Sequence, residues 1–273
     1  MNLSLNIALI VAGLTNDPKP ITFEKQIIAM ETAESAGVFD VDADGHPDIV
    51  SGSYWYKGPE FSKRQLIGQV KRVSEYFDDF STIPMDVNGD GKTDYVTGGW
   101  FGKTLYWVEN PGSNKEWAVH EITNPGNVET TRAWDVDNDG HLDIIPNTPN
   151  QPLAYYTLNR DANGKGTGEF EKHSVTEKHG HGLGFGDING DGRGDFIIPE
   201  GWLEAPQDLE NGRGTLHKTF QLGTASVPII VTDVNSDGLN DLIVGQGHDY
   251  GLHWYEQVKE GDTISFIKHP IDP

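Results

Sequence analysis

The chain alternates short apolar runs with polar, glycine-rich punctuation, and the same succession of runs returns five times. In most returns a short first run (36–39, 132–134, 183–186, 229–232) leads into an acidic loop and a second run leaves it (48–51, 94–97, 241–245). An aromatic third run follows, LYWVE from Leu105, LAYYTL from Leu153 and LHWYE from Leu252. A fourth closes the unit, EWAVHEI from Glu116, FEKHSV from Phe170 and FIKHPI from Phe266. Runs this short, rich in β-branched and aromatic residues and bounded by Gly, Pro, Asn and Asp, predict strands; a helix would need an apolar period of 3.6 sustained for longer. The expected class is all-β, in units of four strands.

The loops carry the chemistry. They read Asp40-Val41-Asp42-Ala43-Asp44-Gly45, DVNGDG from Asp86, DVDNDG from Asp135, DINGDG from Asp187 and DVNSDG from Asp233, each with another aspartate at the ninth position. Oxygen donors at positions 1, 3, 5 and 9, a backbone carbonyl near position 7 and a sharp turn at the glycine suit a hard cation that takes six to eight oxygens. The expected Ca²⁺ ligands are Asp40, Asp42, Asp44 and Asp48 in the first loop and Asp86, Asn88, Asp90 and Asp94 in the second. In the third they are Asp135, Asp137, Asp139 and Asp143, in the fourth Asp187, Asn189, Asp191 and Asp195, and in the fifth Asp233, Asn235, Asp237 and Asp241. A merely solvated acidic turn would not repeat this spacing five times.

The first aspartates of successive loops lie 46, 49, 52 and 46 residues apart, the period of a four-stranded propeller blade. On these loops the chain resembles the FG-GAP and VCBS repeat families, β-propellers with calcium loops like those of the integrin α-subunit head, over about residues 21–271. The resemblance implies a β-propeller with blades at about 36–67, 83–122, 130–176, 181–222 and 228–271. Residues 21–29, ITFEKQIIA, match a fourth strand yet precede the first loop. Five blades plus an orphan N-terminal outer strand are therefore expected, either as an open ring truncated from about seven blades or as a closed five-bladed ring with an extra edge strand.

Seventeen of the 42 acidic residues belong to the loops, so five bound Ca²⁺ ions would bring the net charge from -22 to about -12. Lys and Arg number only 20 and form no basic stripe, which argues against a nucleic-acid partner. No apolar stretch reaches the ~20 residues of a membrane span. Cysteine is absent, so calcium is the available staple, which fits a secreted or periplasmic protein. Residues 4–14, SLNIALIVAGL, have the length and apolarity of a signal-peptide core but lack a preceding Lys or Arg and a following A-x-A site. A frayed first strand is the alternative there.

In an up-and-down blade the loops joining first to second strands all lie on one face, which assigns recognition to the opposite face. That face collects the segments around 31–37, 68–85, 123–133, 177–184 and 223–228, with 51–56, 98–104, 146–152, 199–214 and 245–251. His46 and His141 fall in calcium loops, His120, His173 and His269 share one fourth-strand register, and His217 and His253 lie in predicted strands, leaving His179, His181 and His248 as loop histidines. Residues i and i+2 of an extended segment point the same way, so His179 and His181 are paired candidates for one ion or substrate, with Glu200 and His248 converging from adjacent turns. Trp55, Trp100 and Trp202 are candidates to stack on sugar rings, and Arg72 and Lys103, with Lys71, Arg132 and Arg213, to hold a carboxylate. For each of these the alternative is rim packing or a solvated loop.

The segments HGHGLGFGDINGDG, PEGWLEAP and GHDYGLHWYEQ, chiefly within residues 179–257, resemble the propeller portion of the aldos-2-ulose dehydratase family. That resemblance implies metal-assisted elimination of water from a keto sugar. Polysaccharide lyases apply the same logic to uronic acids. In this reading His179, His181 and His248 ligate a second divalent ion such as Zn²⁺ or Mg²⁺, Glu200 is ligand or base, and Arg132 or Tyr250 orients the carbohydrate. The alternative is a calcium-stiffened module of integrin-head type that binds a glycan or a protein without turnover.

Overall fold

The aspartate that closes each acidic loop also opens the most buried strand of its repeat. Those strands are Asp48–Ser51, Asp94–Gly98, Asp143–Asn147, Asp195–Ile198 and Asp241–Gly245. Each is covered on both faces, which is why its sequence is a continuous apolar run rather than an alternation. The computed structural model describes residues 22–113, 115–209 and 212–272, and its elements there are all strands and turns. No helix among the described residues is long and apolar enough to cross a membrane.

Five antiparallel four-stranded sheets follow one another along the chain, each in strand order one-two-three-four. Sheet I comprises Gly37–Phe39, Asp48–Ser51, Tyr54–Lys57 and Lys63–Leu66. Sheet II comprises Ile83–Met85, Asp94–Gly98, Leu105–Glu109 and Ala118–Thr123. Sheet III comprises Thr130–Trp134, Asp143–Asn147, Leu153–Arg160 and Gly166–Thr176. Sheet IV comprises Gly184–Gly186, Asp195–Ile198, Gly201–Glu204 and Thr215–His217. Sheet V comprises Ile230–Thr232, Asp241–Gly245, Leu252–Glu260 and Thr263–Asp272.

Four apolar seams join consecutive sheets. Val50 and Ile67 of the first repeat pack with Tyr95 and Trp117 of the second, and Val96 and Trp107 with Ile144 and Tyr156 of the third. Ile145 and Tyr155 then pack with Phe196 and Leu203, and Ile197 and Trp202 with Leu242 and Tyr255. First strands of neighbouring sheets approach closely enough to require glycine: a Cβ on Gly184 would stand 2.6 Å from the Ile229 carbonyl oxygen, to which that residue is bridged. Fourth strands carry exposed charges that discourage edge pairing, as Lys63 and Arg64 in Lys63–Leu66 and Lys268 in Thr263–Asp272.

The expected orphan strand does not form. Residues 22–35 contain no strand, and Phe23 and Met30 are exposed. A fourth strand takes its hydrogen bonds from a third strand, and every sheet already has its own fourth. Ile21 and the apolar segment 4–14 lie outside the described residues. The insertion 68–85 holds a two-stranded ribbon, Arg72–Val73 with Tyr76–Phe77, where a plain loop was expected.

Candidate metal centres

Each acidic loop is wound by its own carboxylates onto backbone N–H groups. The ninth-position aspartates Asp48, Asp94, Asp143, Asp195 and Asp241 are at most 1% exposed. Each accepts the N–H of the loop's second residue at 2.9–3.1 Å. First-position aspartates accept from the loop glycine, as Gly45 to Asp40 at 2.8 Å and Gly238 to Asp233 at 2.9 Å. Fifth-position aspartates accept from the seventh residue, as His141 to Asp139 at 2.7 Å. Left-handed φ of +86° to +88° at the five sixth-position glycines makes the turn possible.

The donor set that results is all oxygen. Carboxylate oxygens of Asp40, Asp42 and Asp48, and of Asp135, Asp137 and Asp143, lie within 4.8 Å of one another. Burial pushes Asp94, Asp143 and Asp195 up to about 6, against the backbone hydrogen bonds that lower them. Asp86 keeps a buried Oδ1 with no hydrogen-bond partner. A cluster of negative charge with an orphaned oxygen fits a hard divalent cation. Side-chain cations already lean on some loops: Lys57 contacts Asp42 and, at 2.6 Å, Asp44, while Lys92 contacts Asp90 and Arg193 contacts Asp191.

A second constellation joins three repeats. Glu129, just before the first strand of sheet III, His181, before that of sheet IV, and His248, after the second strand of sheet V, bring ligand atoms within 4.8 Å of one another. His181 Nε2 lies 3.4 Å and His248 Nε2 3.9 Å from Glu129 Oε1. The two imidazole rings meet edge to face at 4.7 Å. His181 Nδ1 is 2.8 Å from the Ala225 carbonyl, which can only accept, so Nδ1 carries the proton. In the neutral ring the Nε2 lone pair therefore faces the carboxylate, and Nε2 is buried without a hydrogen bond. Two acceptors facing each other call for a proton or a cation between them. Glu129 raises the His181 pKa against desolvation, and His181 in turn lowers that of Glu129. Gly247 makes room for the ring, since a Cβ there would stand 2.7 Å from His181 Cε1.

Glu34 is raised first by partial burial and then by the charge of Glu129. Buried Asp79, in turn, is pushed up to about 7 by desolvation, with Asp78 and Glu34 adding to it. Neither Glu129 nor Glu34 was singled out from the sequence, because no spacing motif marks them; only their segments, 123–133 and 31–37, were assigned to the recognition face.

The structure separates His179 from His181. His179 is 2% exposed, with Nδ1 3.0 Å from the Gln151 carbonyl and Nε2 3.1 Å from the Asn147 side-chain oxygen. Burial lowers its pKa to about 4, so the ring is neutral and Nε2 needs a donor. The Asn147 amide nitrogen, otherwise without a partner, supplies one when the amide is turned over. His179 thus ties the 147–151 turn to the chain entering sheet IV. With Glu200, whose Oε2 is buried and unpartnered, it lines a cleft of about 420 Å³ that also holds Lys178 and Lys218.

The remaining candidates scatter. Trp202 lies in a third strand, 3% exposed in the seam of sheets IV and V, where it stacks on His217. Trp55 also lies in a third strand, packed against the seam of sheets I and II beneath Lys57. Both were expected on loops. Trp100 sits in the turn after Asp94–Gly98, its carbonyl accepting from Asn127 Nδ2 at 2.8 Å. Lys103 is exposed in a left-handed turn, and Arg72 stays on its ribbon, donating to the Ser74 carbonyl. Arg132 is partly buried on the first strand of sheet III, with its pKa lowered by burial, and Tyr250 is 91% exposed.

Residues 86–145, from the acidic loop of sheet II into the second strand of sheet III, match the FG-GAP-like repeat family. That span takes in the acidic loops of sheets II and III. Among solved structures, the biofilm matrix protein Bap1 of V. cholerae is 14% identical, with a TM-score of 0.33, over 86% of this chain and 37% of that one. This chain thus spans little more than a third of that protein, and likeness of this extent bears on neither activity nor partner. No curated protein sequence matches the chain.

Proposed function

We propose that the chain is a calcium-stiffened β-propeller scaffold that binds carbohydrate and eliminates water or an alcohol from a keto sugar or uronic acid. The observation that carries the catalytic half is the unsatisfied His181 Nε2 facing Glu129 and His248. Two imidazoles and one carboxylate favour Zn²⁺ over Mg²⁺, which prefers oxygen. A cation bound there would supply Lewis-acid stabilisation of the developing enolate oxygen.

The chain's own groups would do the rest. The Ala225 carbonyl holds His181 in the ligating tautomer. Glu34, made more basic by partial burial and then by the charge of Glu129, takes the proton from the carbon next to the carbonyl. The carbon–oxygen bond one carbon further breaks, and the leaving oxygen takes up the proton that Glu34 removed, departing as water or alcohol. The products are an unsaturated carbonyl compound and that molecule, with no net oxidation. An open cleft of about 430 Å³ in the first two repeats, lined by Gln69, Lys71, Asp78, Thr104, Tyr106 and Glu121, offers the hydroxyl-binding groups that a sugar needs.

Zn²⁺-loaded protein incubated with keto sugars and uronate oligosaccharides should generate the ultraviolet absorbance of an unsaturated carbonyl. His181→Ala should abolish it, and Glu34→Gln should reduce it about 10²- to 10⁴-fold. Turnover that survives His181→Ala would sink the assignment. Glycan affinity with no turnover on the whole panel would replace it with a binding module.

A further inference from the structure

The five repeats differ at the third position of the acidic loop, and the difference is matched one strand away. Where that position is an amide, Asn88, Asn189 and Asn235, the third strand carries a glutamate two residues past its tryptophan, Glu109, Glu204 and Glu256. Each glutamate Oε1 accepts from the asparagine Nδ2, at 3.4, 3.3 and 3.4 Å. The other oxygen lies 2.7–2.8 Å from Nε2 of a fourth-strand histidine, His120, His217 or His269. A carboxylate only accepts, so the histidine donates. Each histidine in turn lies flat on the third-strand tryptophan, Trp107, Trp202 or Trp254, with centroids 4.1–4.6 Å apart.

Where the loop's third residue is a carboxylate, Asp42 or Asp137, the glutamate is gone. The equivalent residues are Lys57 and Thr157, two past Trp55 and Tyr155, which pair with Gln65 and His173 in the same register. The physical distinction is symmetry. A carboxylate shows oxygen whichever way it turns, whereas an amide shows oxygen at one end and N–H donors at the other. Asn88, Asn189 and Asn235 all direct Oδ1 into the loop, where it accepts the N–H of the fifth residue at 3.0 Å. Nδ2 is held on the outside by the glutamate, and at Asn189 and Asn235 also by the fifth-position aspartate.

We propose that the pairs His120–Glu109, His217–Glu204 and His269–Glu256 are positioning residues of the acidic loops: they select the amide orientation that presents oxygen to a bound cation. This rests on reading the loops as calcium sites. Removing such outer partners typically weakens metal binding 10- to 100-fold.

The test is a Ca²⁺ titration of the full chain by calorimetry, with folding followed by near-ultraviolet circular dichroism. The wild type should bind five ions. Glu109→Gln/Glu204→Gln/Glu256→Gln should retain two sites and weaken three by 10- to 100-fold. Adding Asn88→Asp, Asn189→Asp and Asn235→Asp should restore all three. If the triple glutamine variant fails to fold, Glu109→Gln with and without Asn88→Asp repeats the comparison for one site. Unchanged affinity in the glutamine variants, or failure of the aspartates to rescue a folded variant, overturns the inference and leaves the calcium reading standing. A wild type that binds no Ca²⁺ removes both.

Discussion

Asn110 reaches across the seam between sheets I and II, donating from Nδ2 to the Val41 carbonyl at 2.9 Å. The same register in sheet V places Gln257 on the Ile188 carbonyl of the sheet IV loop at 3.1 Å. Both side chains are at most 2% exposed, and each also bonds the loop of its own sheet, Thr93 or Asn240. One buried amide therefore ties two acidic loops together, so that loop order and seam packing are coupled. Removing a buried donor strands the carbonyl it served.

Asn110→Ala and Gln257→Ala should each cost about 1–3 kcal/mol in a urea titration. The two residues lie in separate seams, so the double variant should be additive. A loss below about 0.5 kcal/mol for both would show the bridges to be dispensable.

Trp202→Ala should destabilise the fold by about 3–5 kcal/mol, because the indole fills the seam of sheets IV and V. Tyr250→Ala should leave the melting temperature unchanged, since that ring is solvent-exposed. Thermal melts of the two variants compare a core aromatic with a surface one directly.

Asp79 makes stability depend on pH in the direction opposite to most carboxylates. Its folded pKa of about 7 lies above the unfolded value near 3.8, so between those values the folded state holds more protons. Stability contributed by this group is greatest near pH 4 and is lost as pH rises through 7, by a few kcal/mol at most, about 1.4 for each pH unit crossed. Asp79→Asn should flatten that slope and stabilise the protein at pH 8. A wild-type denaturation midpoint that does not fall between pH 5 and 8, relative to Asp79→Asn, would contradict it.

Calcium should raise the melting temperature, with about 2.7 kcal/mol for each site filled at 100 times its Kd. The first loop should bind most weakly, because Lys57 already neutralises Asp42 and Asp44. Lys57→Gln should tighten one site of the five in a Ca²⁺ titration.

Much of this molecule is legible in local pattern. Loop spacing predicted where the second strands at Asp48, Asp94 and Asp241 begin, and apolar runs predicted units of four strands, because both depend on residues near in sequence. The extra strand predicted for 21–29 failed for the reverse reason: ITFEKQIIA has strand composition, but a strand also needs a free neighbour, and composition does not report that.

Side-chain direction was less accessible. Trp55 and Trp202 carry no mark that distinguishes a loop platform from a seam. His179 and His181, two residues apart, look alike in the sequence, yet one is sealed between Asn147 and Gln151 and the other opens towards Glu129 and His248.

The sequence by itself determined the repeat, its strands and the oxygen-donor loops, since hydrogen bonds to neighbours a few residues away shape all three. Only the tertiary structure decided that Glu129, His181 and His248 meet, because they come from three different repeats and their proximity is set by how the sheets stack.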